Sequence, residues 1–137
     1  MIHDPDLAPF YKWLEPDDED QELRDLAADE WRAERWLITA EEDALICRLV
    51  DLNVRLPLAG YAADRGLMEI KAVFDAARHS KLHLTGFTPE QFSRLMDYEE
   101  DLFQQWHRAL MDLHEYRLAH PMDAALEHLT PSTPSLN

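Results

Sequence analysis

The stretch behind Thr88 constrains the fold more than any other part of the chain. Thr88-Pro-Glu-Gln91 is a capping box, in which the threonine hydroxyl takes up a free amide of the first turn and Gln91 reaches back. Pro89 stands where its fixed φ already suits a helix start. Phe92, Leu95, Met96, Leu102, Phe103, Trp106, Leu110 and Leu113 then recur at three- and four-residue spacing. This predicts a helix about 40 Å long that ends near His120, because Pro121 disfavours helix in the residue before it. So long an apolar stripe needs other helices to cover it.

Two further start signals supply them. Thr39-Ala-Glu-Glu42 is a second capping box, followed by a stripe of Leu45, Leu49, Leu52 and Leu56. Pro57 is expected to break or kink that helix, after which Leu67, Ile70, Val73, Phe74 and Ala77 form a third pattern fading near Ser80. Pro16 with Asp17, Asp18, Glu19 and Asp20 makes an acid-rich first turn, favoured by the positive end of a helix dipole. Three glycines and no Asn-Gly or Asp-Gly step leave little turn chemistry for β-hairpins. The expectation is all-α: a small helical bundle of four or five helices, formed as a single domain by residues 1–129. Residues 130–137, with two prolines and little apolar bulk, are expected to be a disordered or extended tail.

Charge narrows the function classes. The chain has 28 Asp and Glu against 13 Lys and Arg, a formal −15, yet it is 46% hydrophobic. That is too apolar for a wholly disordered chain. It is too acidic for direct nucleic-acid binding, which relies on Lys and Arg at phosphates, or for an anionic membrane surface. The excess is local: residues 1–43 hold 15 acids against 4 bases, whereas 44–137 hold 13 against 9. One cysteine, Cys47, excludes an internal disulfide and a Cys₂His₂ zinc site, and its apolar run predicts a buried thiol. The start Met-Ile-His-Asp-Pro-Asp lacks a basic and apolar leader, and no run nears the roughly 20 residues of a membrane span, so a soluble cytoplasmic protein is expected.

The usual chemical signatures fail on spacing. Asp75, His79 and His83 share a helical face, but no Glu lies between the histidines and the helix is fading there. Glu100, His107 and His114 align at seven-residue steps, about 10.5 Å apart, too far for one ion. A di-iron carboxylate bundle needs Glu-x-x-His, and Glu115 is followed three residues on by Leu118. No Gly-x-Ser-x-Gly, Gly-x-Gly-x-x-Gly or Walker A run is present. Residues 58–74 fit two short helices with a turn at Gly66, but the second would offer a groove Glu69, Lys71 and Asp75, a poor set for phosphates. No cofactor, metal or catalytic residue is expected.

What remains is the acidic N-terminal helix. At 100° per residue Asp18, Glu22, Asp25 and Asp29 fall within about 60° of one another, a ridge set opposite Leu23, Leu26 and Leu37. Successive carboxylates stand roughly 5–6 Å apart, near the 6–7 Å spacing of phosphates on a nucleic-acid strand. Like charges at i,i+4 destabilise a helix, so the ridge does not serve helix stability. Trp31 and Trp36 point away from the leucines, and tryptophan is enriched at binding hot spots. The expected function is a non-enzymatic, acidic protein-binding protein of the inhibitor or immunity type. It would occupy the basic, nucleic-acid-binding surface of a partner through Asp18, Glu22, Asp25, Asp29, Trp31 and Trp36. The alternative is a structural accessory subunit of a larger enzyme, or an obligate homodimer.

Overall fold

Capping side chains set where the helices begin. The computed structural model describes residues 4–77 and 85–121. A 3₁₀ segment (Pro5–Phe10) runs into one helical turn, α1 (Tyr11–Leu14), followed by α2 (Asp18–Ala33), α3 (Ala40–Ala77) and α4 (Pro89–Ala119). The fold is all-α, with no strand among the described residues. Asp17 caps α2 in a reciprocal box with Asp20, at 2.9 and 2.8 Å. Thr88 caps α4 in another with Gln91, at 3.1 and 2.9 Å. Gly86, at φ 92°, turns the chain into that second cap through a conformation that strains any residue with a Cβ. As the Pro121 argument requires, α4 closes at Ala119 with His120 as its cap.

The α3 and α4 helices run antiparallel. Arg48 meets Asp112 at 2.9 Å and Asn53 accepts a 2.6 Å hydrogen bond from Trp106 Nε1, so numbers fall on one helix as they rise on the other. Leu49, Leu52, Ala59 and Ala63 of α3 share the core with Leu95, Leu102, Ala109 and Leu113 of α4. The shorter α2 packs antiparallel on the first half of α3, with Arg24 on Asp51 at 3.0 Å and Arg32 on Asp43 at 2.6 Å. The N-terminal strap brings Leu7, Phe10 and Leu14 into the same core, and Asp4 holds Arg94 at 2.7 Å.

Three expectations change. Pro57 does not end its helix: α3 is one helix of 38 residues, about 57 Å long. The proline forfeits one backbone hydrogen bond, but core residues lie on both sides of it and keep the chain helical through it. Gly66 likewise makes no turn, which removes the helix-turn-helix shape; it stays helical because its missing side chain admits the Phe92 ring. Cys47 is exposed rather than buried. Ile46, Leu49 and Val50 take the inward positions and leave Cys47 turned outward, beside Arg32 at 3.7 Å. The tail 130–137, Ser80, His79 and His83 lie outside the described residues.

The two mid-helix glycines should answer opposite ways to alanine. At Gly60 a Cβ would meet only the flexible Glu99 carboxylate, 3.2 Å away, so Gly60→Ala should add about 0.5–1 kcal/mol through helix propensity. At Gly66 the same atom would lie 2.8 Å from Phe92 Cε1, and that ring is backed by Phe87 at 5.9 Å between centroids. Overpacking of about 1–3 kcal/mol outweighs the propensity gain, so Gly66→Ala should lose about 1 kcal/mol. Urea unfolding of both variants is the check; equal gains would refute the close approach.

Candidate functional site

How α2 sits on the bundle decides what it shows to solvent. It packs through Ala27, Ala28, Trp31 and the inward stem of Arg24. The helical turn then carries Asp18, Glu22, Asp25 and Asp29 to the far side, and all four are exposed. Asp25 accepts from Gln21 Nε2 at 3.0 Å and Asp29 from Arg32 at 3.0 Å. The positive charge of this region is drawn the other way. Arg24 pairs with Asp51, Arg35 with Glu42, and Arg32 with Asp43. The hydrogen bond to Asp43 raises the Arg32 pKa above its ordinary value, against a smaller desolvation effect. Three arginines of the acidic segment thus serve acids of α3, with Arg32 shared between Asp43 and Asp29.

The two tryptophans separate. Trp31 lies half-buried against the core, with the Arg117 guanidinium 5.3 Å over its ring. Trp36 falls beyond the end of α2, in the connection to α3, and is 61% exposed. The leucines expected to oppose the ridge do not form the buried face. Leu23 and Leu26 are 58% and 63% exposed, and Leu37 has left the helix. Their place is taken by alanines, which let the α2 and α3 backbones approach. Beside that contact a groove of about 730 Å³ opens, lined by Leu23, Leu26, Val54, Pro57, Leu58 and Tyr61. Asp20 and Glu30 stand among its walls. The ridge therefore borders an apolar groove along one flank, a juxtaposition that α2 periodicity alone does not reveal.

A second cluster escaped the sequence reading. Thr39 accepts the Glu42 amide at 3.1 Å, but the Glu42 carboxylate turns into the protein, where it is 1% exposed. Its Oε2 meets Arg117 Nε at 2.8 Å and Arg35 Nε at 3.2 Å. Arg117 also donates to Glu34 at 2.7 Å and to the Trp31 carbonyl at 2.8 Å. Tyr116 bonds the Thr39 hydroxyl at 2.6 Å and stacks on His120. The residues come from the end of α2, the connection to α3, the first turn of α3 and the far end of α4, so no local spacing announces the cluster. With two carboxylates facing two guanidiniums, the cluster fastens helices together and offers solvent no net charge.

The remaining candidates do not assemble. Glu100, His107 and His114 are all exposed on α4, and among the described residues no three His, Cys, Asp or Glu groups converge to hold a metal ion. Burial raises the Tyr98 phenol above its ordinary pKa, with Arg55 opposing the shift. Among the described residues no helix is long and apolar enough to cross a membrane. No family model matches the chain, no curated protein matches its sequence, and no solved structure matches its fold.

Proposed function

We propose that this is a non-enzymatic acidic protein that binds a basic partner protein, as an inhibitor or immunity-type protein would. The observation that supports this reading is the direction of charge around α2. Arg24 and Arg32 of α2 and Arg35 just beyond it reach to Asp51, Asp43 and Glu42, while Asp18, Glu22, Asp25 and Asp29 are exposed along one ridge on which only Asp29 takes an arginine, Arg32. Such a field steers a basic surface into contact and excludes acidic ones. Of the two tryptophans, Trp36 is the one exposed enough to anchor a partner. Because the ridge spacing approaches that of phosphates, the partner surface is one that also suits a nucleic acid.

Capture from native-host lysate on wild-type bait and on the D18N/E22Q/D25N/D29N variant tests this, with elution on a salt gradient. A basic protein should elute early from the wild type and be missed by the variant, because at 1 M salt the Debye length is roughly 3 Å. The variant should stay folded, and even gain a few tenths of a kcal/mol per relieved i,i+4 repulsion. A partner that holds through 1 M salt, or that both baits capture, refutes the ridge. Exposed Met96, Phe103, Met111 and Leu118 on α4 would then favour the accessory-subunit or homodimer reading, whose contacts are apolar.

A further inference from the structure

We infer that the α2–α3 groove seats one amphipathic helix of the partner, apolar on the side that enters and basic along the flank that meets α2. The inference rests on the reading of the ridge as a partner-binding surface and adds the shape of what binds.

The groove has the dimensions of a helix-in-groove site. The α2 residues that line it run from Asp20 to Glu30, about 15 Å, room for nearly three turns of an incoming helix. Apolar anchors at i, i+3 or i+4 and i+7 would spread over about 10 Å of that length, and a volume of about 730 Å³ takes several leucine-sized side chains. Leu23 and Leu26 on one wall and Tyr61 on the other are apolar surfaces that the bundle leaves uncovered, with half-buried Leu58 beside Tyr61.

Charge selects the occupant. Asp20 and Glu30 stand in the groove itself, and Glu19, Glu22 and Asp29 follow on the exposed turns of α2. An apolar helix flanked by Lys or Arg pairs with these acids as its leucines enter. A second copy of the chain would bring another −15 to the contact. Residues 122–137 of this chain contain Asp123 and Glu127 and no Lys or Arg, so they do not complement the groove either.

The test uses three fluorescein-labelled 16-residue peptides on the full chain, read by anisotropy. One has leucines at i, i+3, i+4, i+7 and i+11 with lysines on the flanks. The second has the same composition scrambled to destroy the period, and the third replaces every lysine by glutamate. The periodic lysine peptide should bind roughly tenfold or more tighter than either control, and L23S/L26S should abolish that margin. Both leucines are exposed, so that variant should unfold as the wild type does. Equal binding of the scrambled peptide, or an unchanged margin in L23S/L26S, overturns the groove. Weaker binding of both lysine peptides to D18N/E22Q/D25N/D29N would then still uphold the ridge. Equal binding of the glutamate peptide overturns the basic partner. A dimer in sedimentation velocity that L23S/L26S dissociates makes a second copy the occupant and overturns the inference.

Discussion

Replacing Arg117 by Met should lower the unfolding free energy by about 3 kcal/mol, more than any surface charge in this chain should cost. Breaking a buried ion pair by deleting one partner typically costs 3–5 kcal/mol, because the other charge stays buried without compensation. Here the stranded group is Glu42, which is 1% exposed. Its Oε2 takes both arginines, and Oε1 has no hydrogen-bond partner among the described residues. Arg35 remains at 3.2 Å, which places the loss at the low end of that range. The Trp31 carbonyl and the Trp31 ring face lose a partner as well.

The double variant E42L/R117M separates burial of charge from simple loss of packing. No carboxylate is left to strand, but Arg35 loses Glu42 and keeps the His120 carbonyl, so the double variant should recover about half of the loss rather than all of it. Guanidinium chloride unfolding of the single and double variants measures both numbers. A double variant less stable than R117M alone would show that packing by the Glu42 and Arg117 stems, not the charge, joins α4 to the α2–α3 connection. High salt should move neither value much, in contrast to its effect on binding at the ridge.

This cluster marks the boundary between what local pattern reveals and what it does not. Thr39, Thr88 and the acids after Pro16 were legible as helix starts because a cap acts within four residues of itself. The leucines of α3 and α4 were legible because burial repeats with the helical turn. Arg117 and Glu42 lie 75 positions apart, and nothing at either position anticipates the other. Glu42 even answers to a local rule, the capping box, and then directs its carboxylate elsewhere. Leu23 and Leu26 misled for a related reason: α2 turns Ala27, Ala28, Trp31 and the Arg24 stem to the bundle, a face that the leucine spacing does not mark. Pro57 and Gly66 carry real local preferences, and tertiary packing along α4 overrides both. The ridge of Asp18, Glu22, Asp25 and Asp29 was legible because solvent exposure asks nothing of distant residues. The groove beside it was not, since its second wall is supplied by Val54, Pro57, Leu58 and Tyr61.

Phe10→Ala should cost about 3–5 kcal/mol, the range for truncating a fully buried aromatic ring. The side chain is 0% exposed, and its ring centre lies 5.0 Å from that of Phe87 and 6.5 Å from that of Trp13. Position 10 belongs to a 3₁₀ segment of six residues, too short to be stable by itself. Its order comes from burying Leu7, Phe10 and Leu14, aided by Asp4 on Arg94 and by the Tyr11 hydroxyl on the Asp4 carbonyl. Phe10→Leu, which keeps most of the volume, should cost under about 1.5 kcal/mol and provides a folded comparison if the alanine variant is too unstable to measure. Amide hydrogen exchange adds the structural readout. If the strap closes the core over Phe87, Phe10→Ala should deprotect residues 4–14 and the first turns of α4 together, because Phe87 stands just ahead of the Thr88 cap. If exchange quickens in residues 4–14 alone while the midpoint hardly moves, the strap is an ornament on the bundle. The core around Phe87, Phe92 and Gly66 must then be stable without it.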